Sequence, residues 1–147
     1  MARTYRLTPL RRVGNWLLTA LLYLGVDLGP TVLLSVPGRR TGRLHITPVT
    51  LVEQAGQRWL VAPYGPVGWV RNARAAGWVL LRRRGRWERV PIVELPPEEG
   101  APVLKAYVQR LAIVRPYFDA GPEDPPEAFL AEAPRHPVFR ILGPAAR

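Results

Sequence analysis

Apolar side chains near the start of the chain follow a helical spacing. Val13, Trp16, Leu17, Leu21 and Leu24 recur at intervals of three or four positions, which predicts a helix that ends where Gly and Pro interrupt the run. From residue 31 onward the pattern changes to short apolar runs, many of them rich in β-branched residues. Such runs, separated by Gly, Pro and Arg clusters, predict β-strands joined by tight turns.

Six of the apolar segments suit strands and three suit helices. The predicted order is a helix, three strands, a short helix, two strands, a helix and a final strand. The segments are residues 13–24, 32–36, 44–52, 58–62, 67–76, 78–81, 87–95, 98–111 and 136–142. Tight turns favour antiparallel pairing, and six short strands favour closure into a barrel. The predicted fold class is therefore mainly β, with peripheral helices.

Two stretches depart from this regular pattern. Pro48 interrupts the second strand segment, and because proline has no backbone N–H it predicts an edge, a bulge or a strand end there. Residues 119–134 are acidic and rich in proline, which predicts an irregular surface segment that packs through Phe129.

The turn between the first two strands is strongly basic. Arg39, Arg40 and Arg43 stand beside Thr41 and Gly42. Guanidinium groups offer paired donors to anionic oxygens, and glycine leaves backbone N–H groups uncovered. The turn therefore suits a phosphate or a row of carboxylates, although an ordinary solvated hairpin has the same local pattern.

The charge of the chain is concentrated in the part that contains this turn. The formal net charge is +10, and residues 1–93 carry fifteen arginines against three acidic residues, a net +12. A field of this sign implies an anionic partner, which can be a phosphorylated cofactor, a nucleic acid or an anionic membrane. Nucleic acid is disfavoured, because no helix has a basic recognition face and the aromatic residues are not interleaved with basic ones.

The residue types exclude several kinds of chemistry. The chain has no cysteine and only two histidines, His45 and His136, so thiol nucleophiles and cysteine-ligated metals are excluded and no metal site is predicted. A structural role is expected for both histidines. The chemistry is therefore expected to come from a bound cofactor.

The first thirty residues are predicted to form a basic, apolar helical unit, and residues 31–147 the cofactor-binding barrel. Asp27, Gly29 and Pro30 interrupt the apolar run well short of a bilayer span. Two interpretations remain open. The helix caps one end of the core, or it lies on an anionic membrane surface. The expected location is cytoplasmic, with the inner face of the membrane as the second alternative.

Taken together, these segments resemble the deazaflavin-dependent nitroreductase family, whose members use coenzyme F420. The resemblance rests on the order and spacing of residues 32–49, 60–65, 69–75, 87–99, 115–119 and 134–139. It implies a split β-barrel of about six antiparallel strands, similar to FMN-binding and pyridoxamine-phosphate-oxidase-like proteins. It also implies that a cofactor with a phosphate and a polyglutamate tail binds in a basic groove.

The resemblance assigns roles to individual residues. It implies that the phosphate and tail of the cofactor are contacted by Arg39, Arg40, Thr41, Gly42 and Arg43. The ring is expected to lie beside Thr47 and Pro48 and along Ala62, Pro63, Tyr64 and Gly65. Further cofactor contacts are implied for three residues of the next helix, Trp69, Asn72 and Arg74. Tyr117 and Phe118 fall where the family lines its substrate pocket. Tyr64 and Tyr117 are the candidates for donating a proton or positioning the acceptor.

The expected function is transfer of a hydride from reduced F420 to a quinone-like, nitro or other conjugated acceptor. The alternative is a carrier without catalysis on the same barrel, loaded with FMN, FAD, haem or lipid, because a fold does not by itself determine its ligand. The expected partner is a small-molecule acceptor, and the protein is expected to be a monomer or a homodimer.

Overall fold

The computed structural model describes residues 9–143 of the chain. Six strands and three α-helices follow one another in the order that the hydrophobic pattern predicts. They are α1 (Pro9–Tyr23), β1 (Thr31–Pro37), β2 (Leu44–Gln54), β3 (Gln57–Val61), α2 (Gly68–Ala76), β4 (Trp78–Arg83), β5 (Arg86–Glu94), α3 (Pro97–Arg110) and β6 (Val138–Ile141). Two short 3₁₀ helices, Ala112–Tyr117 and Pro126–Phe129, lie between α3 and β6.

The six strands form a closed antiparallel barrel in the order β1-β2-β3-β6-β5-β4. Alternate residues of each strand face inward, and these form one apolar core together with Val70 and Ala73 of α2. A second core lies outside the barrel, where α3 and the 3₁₀ segments pack on β2, β3 and β6. The predicted fold class, a split β-barrel with peripheral helices, is confirmed.

Phe129 anchors the acidic, proline-rich segment to the second core. Its side chain is fully buried, and its ring centroid lies 6.5 Å from that of Phe118. The segment is otherwise irregular apart from the short 3₁₀ helix that ends at Phe129. Packing through Phe129 is therefore the arrangement that the sequence predicts.

Pro48 lies in the part of β2 that is paired on one side only. Gly38 N donates to Arg43 O at 2.7 Å, and Leu51 N donates to Pro30 O at 2.9 Å. Because hydrogen-bonded pairs alternate along an antiparallel ladder, the pair of Leu33 with Pro48 is a non-hydrogen-bonded one, so the nitrogen of Pro48 faces away from β1. On that side the ladder with β3 extends only from Leu51 to Gln54, and Pro48 stands at an edge.

Charged side chains close the end of the barrel where β2 finishes. Glu53, Arg58, Arg83 and Glu88 each stand two positions from an inward-facing apolar residue of the same strand, so their side chains share the inward face. Arg83 binds both carboxylate oxygens of Glu53, at 2.6 and 3.2 Å, and Arg58 contacts Glu88 at 3.0 and 3.5 Å. Opposite charges therefore meet in pairs at this end of the core.

Helix α1 packs on β1, β2 and β4 and leaves most of its apolar surface uncovered. Among its described residues only Leu22 is buried, whereas Leu10, Trp16 and Leu17 are 82%, 71% and 53% exposed. The helix therefore contributes little to the core. No helix within residues 9–143 is long and apolar enough to cross a membrane.

Candidate active site

The barrel opens where β2 and β3 separate. Their ladder ends at the pair Leu51 and Leu60, and residues 44–50 continue with β1 as their strand partner. On the other side the chain leaves β3 at Val61 and turns through residues 62–65, a segment called the corner below. The backbone N–H of Ala62 donates to Pro137 O at 2.9 Å. Thr47 and Pro48 thus run along one side of an opening, and the corner runs along the other.

The basic turn at residues 39–43 closes the β1–β2 hairpin beside this opening. Gly42 has a φ of 73°, a conformation that glycine adopts without strain, and its N–H donates to Gly38 O at 2.8 Å. The Thr41 hydroxyl accepts the N–H of Arg43 at 3.2 Å. Within the described part of the chain, the backbone N–H groups of Arg40 and Thr41 have no acceptor.

Asn72 of α2 holds the turn in place. Its side-chain oxygen accepts two hydrogen bonds from Arg39, at 3.0 Å from the backbone N–H and at 2.9 Å from a guanidinium nitrogen. Asn72 is 6% exposed, so the amide is fixed by its packing. The conformation of the turn is therefore coupled to α2, which begins just after the corner.

The turn and α2 together border an open depression of about 580 Å³. It is lined by Gly38, Arg39, Arg40, Thr41, Arg43, His45 and Asn72. No carboxylate is among these residues, so the depression has a positive potential. The sequence analysis expects a structural role for His45, whereas the structure places it in the lining of the depression. The signal that could have located it is the β1–β2 register, which brings its ring to the turn.

Three tyrosines meet around the corner. The rings of Tyr64 and Tyr117 are in edge-to-face contact with centroids 5.0 Å apart, and the guanidinium carbon of Arg11 lies 5.9 Å from the Tyr117 ring centroid. Tyr64 is 38% exposed and Tyr117 is buried. Burial raises the pKa of Tyr107, and the neighbouring Tyr64 raises it further. Tyr107 is an addition to the predicted set, since in the sequence it belongs to the apolar stripe of α3.

Comparison with known proteins identifies the family. The model of the F420H(2)-dependent quinone reductase family matches residues 22–117, a range that contains the turn, the opening, the corner and Tyr117. The chain belongs to this family. A search of curated proteins finds no match.

Solved structures agree with the fold. A protein described as a domain-swapped dimer is 22% identical with a TM-score of 0.55, over 90% of this chain and 96% of its own. An F420-H2 dependent reductase is 22% identical with a TM-score of 0.53, over 77% and 94%. A FAD-binding protein from Mesorhizobium loti is 19% identical with a TM-score of 0.50, over 92% and 89%. At these identities the likeness concerns the fold.

Membership of the F420H2-dependent quinone reductase family makes the protein an enzyme of the deazaflavin-dependent reductase type. Two residues predicted to bind the cofactor have other partners in the structure. Trp69 packs against Phe139, with ring centroids 6.0 Å apart, and Arg74 binds both oxygens of Glu94, at 2.8 and 2.7 Å. The hydrogen bonds that Arg74 donates to the Glu94 carboxylate raise the pKa of Arg74. Direct cofactor contact by Trp69 and Arg74 stays a prediction.

A buried polar cluster supports the corner from behind. His136, 5% exposed, stacks on Phe118 with ring centroids 3.9 Å apart. The buried carboxylate of Glu132 accepts the N–H groups of Asp119 and Ala120 at 2.7 and 2.8 Å and lies 3.8 Å from Nε2 of His136. Phe118, predicted to line the substrate pocket, thus has most of its surface in protein contacts.

The protonation of His136 is coupled to the corner. Burial lowers the pKa of His136, while Glu132 and the carbonyls of Pro63 and Ala62 act in the opposite direction. The net direction is downward, so the neutral ring is the form that the folded protein favours.

Acid should therefore destabilise the protein through His136. As the pH falls below about 6.5, the ordinary histidine value, the unfolded chain takes up this proton before the folded one does. The free energy of unfolding should decrease from pH 6.5 toward 5.5, with a slope of at most about 1.4 kcal/mol per pH unit, and should be flat above pH 7. Urea denaturation across this range measures it.

The two histidines provide a matched control for this experiment. His136→Gln should remove the decrease, and His45→Gln should retain it. If both variants behave like the wild type, the acid dependence has another source and the arrangement of the buried cluster is wrong.

Proposed function

We propose that this enzyme transfers a hydride from reduced F420 to a quinone-like, nitro or other conjugated acceptor. The observation that carries the proposal is the position of the basic turn. It is fixed by Asn72 beside the opening of the barrel, so that an anion site and a cleft for a flat ring adjoin.

The turn fits the anionic part of the cofactor. The side chains of Arg40 and Arg43 border the depression without a carboxylate partner among the described residues, and the free N–H groups of Arg40 and Thr41 point to a ligand with several anionic oxygens. Guanidinium groups bind phosphate and carboxylate oxygens in pairs. The residues present therefore suit a phosphate and a polyglutamate tail.

The opening fits the ring. We place the planar ring between Thr47 and Pro48 on one side of the opening and the corner on the other. Pro63 has no backbone N–H, so any backbone hydrogen bond from the corner to the cofactor must come from another of its residues. The reduced deazaflavin supplies the hydride when bound, and the chain contributes orientation and exclusion of water.

The tyrosines are proposed to serve the acceptor. Reduction of a quinone carbonyl leaves an oxyanion that needs a proton, and the hydroxyl of Tyr64 or Tyr117 can donate it or hold the oxygen. Tyr64 is partly exposed beside the opening, which favours it for direct contact. Tyr117 fixes the Tyr64 ring by edge-to-face packing.

Equilibrium binding across a panel of F420, FMN, FAD and NADPH tests the cofactor assignment. We expect F420 to bind more tightly than about 100 μM at moderate salt, near −5.5 kcal/mol, and to reduce a quinone in turnover. Tight binding of FMN or FAD with no turnover would support the carrier alternative. Absence of F420 binding would refute the proposal.

Removing single cations from the turn should weaken F420 binding. Arg39→Ala and Arg40→Ala should each raise Kd about tenfold at low salt, the order expected for a hydrogen bond to a charged group, and should make the salt dependence of binding shallower. Arg84→Ala is the matched control, because Arg84 lies in the β4–β5 turn and pairs with Asp27, and it should change Kd less than twofold. Calorimetry at three salt concentrations measures both effects, and an equal loss in all three variants would count against the turn.

Removal of the tyrosine hydroxyls separates their roles. Tyr64→Phe should lower kcat about 100-fold if its hydroxyl donates the proton, with Kd for F420 unchanged. Tyr117→Phe keeps the ring contact and should cost less than tenfold. Steady-state rates with a soluble quinone measure both variants, and an unchanged kcat in Tyr64→Phe would assign proton delivery to solvent.

The exposed face of α1 supports the second interpretation of the first helix, contact with an anionic membrane surface. Leu10, Val13, Trp16 and Leu17 form one apolar face, and each is at least half exposed. Residues 1–26 contain four arginines and no acidic residue. This charge complements anionic lipid and repels a second copy of the same helix.

Vesicle flotation tests this contact. The full chain should float with vesicles that contain anionic lipid and remain in solution with neutral ones. Trp16→Glu should abolish flotation, whereas Ile113→Glu, which alters an exposed side chain outside α1, should not. Failure of the wild type to float would refute the membrane contact, and a change of oligomeric state in Trp16→Glu would assign the face to a protein contact instead.

A further inference from the structure

We propose that His45 is an additional ligand of the anion bound by the basic turn, and that its imidazole takes up a proton as the anion binds. The inference rests on the proposed function, because the anion concerned is the phosphate or the carboxylate tail of the cofactor. It makes cofactor affinity depend on pH in the range around neutrality.

The imidazole lies directly against the turn. A Cβ atom placed on Gly38 would stand 3.1 Å from Nε2 of His45 and 3.4 Å from Cδ2. A Cβ atom there would require the ring to move by a few tenths of an ångström, so the glycine that begins the turn allows the imidazole to lie this close. The ring forms part of the wall of the depression.

The strand register explains why the ring is there. His45 is paired with Val36 of β1, and along β2 it shares a face with Thr47 and Val49. This face continues into the barrel core at Leu51. The imidazole therefore stands between the anion-binding turn and the part of β2 proposed to lie beside the ring of the cofactor.

The charges around His45 all have one sign. Arg39, Arg40 and Arg43 face it from the turn, Asn72 contributes a neutral amide from α2, and Val36 is its neutral neighbour on β1. A bound phosphate or carboxylate reverses the local potential and favours the imidazolium, which then donates an N–H to the anion.

Proton uptake and binding are then linked. A protonated imidazole adds a positive charge and a second N–H donor, so binding should tighten as the pH falls from 8 to 5.5. If the titration midpoint rises by about one pH unit on binding, the affinity increases about tenfold over this range. Arginines alone would give no such dependence, because they remain charged throughout.

Nuclear magnetic resonance measures the effect directly, because the chain contains only two histidines. The ring carbon–hydrogen signals are followed from pH 8.5 to 5 without ligand, with sulfate, and with an N-acetylated γ-linked triglutamate. Sulfate does not titrate in this range, and the carboxylates of the acetylated peptide remain largely ionised. We expect the titration midpoint of the His45 signal to move upward by about one pH unit with at least one probe. His136 is buried behind the corner and should not shift. A shift with sulfate would indicate that the phosphate contacts the His45 imidazole, and a shift with the triglutamate would indicate that the tail does.

Two variants separate the role of the imidazole from that of its surroundings. His45→Gln should bind the active probe about tenfold more weakly than the wild type at pH 5.5 and with no pH dependence. His45→Arg, which carries a permanent charge, should bind at pH 8 as tightly as the wild type does at pH 5.5. The ratio of affinities at the two pH values is the readout for each variant.

The failure of this inference is distinguishable from failure of the proposed function. If F420 binds at pH 8 but neither probe moves the His45 signal, or if His45→Gln keeps the pH dependence, the role of His45 is refuted and the cofactor assignment stands. If F420 fails to bind at pH 8 and at pH 5.5, the proposed function itself is refuted.

Discussion

One backbone constraint organises the molecule: the first half of β2 has a strand partner on one side only. The nitrogen of Pro48 faces the side on which β3 would continue, and it carries no hydrogen. A ladder with β3 therefore cannot use this position, and the two strands separate after Leu51 and Leu60. The basic turn, the corner and the start of α2 are all arranged around the opening that results.

A single amide connects the two halves of this opening. Asn72 accepts both the backbone N–H and the guanidinium of Arg39, and α2, which carries Asn72, also fills the barrel through Val70 and Ala73. The turn is therefore held by the packing of the core, although most of its own residues are exposed. Such preorganisation lowers the cost of ordering a loop when an anion binds.

Pairing determines which of the many arginines remain available. Arg58, Arg74 and Arg83 contact glutamates on strands that closure of the barrel brings within reach. The cations of the turn lie in a depression without a carboxylate lining it. The arginines of the turn are therefore the ones available to bind an anionic ligand. The position of each arginine matters more for binding than the number of arginines in the chain.

The sequence by itself determined the order of the elements, the barrel class and the restriction of Pro48 to an edge, a bulge or a strand end, because strand periodicity, tight turns and a missing N–H act locally along the chain. The resemblance to a family led to the hypothesis that the turn and the corner bind the same cofactor. Only the tertiary structure decided that Arg74 binds Glu94, that Tyr107 joins Tyr64 and that His45 faces the turn. Those contacts join residues far apart in the chain or depend on strand register, and neither burial nor register can be read from local pattern alone.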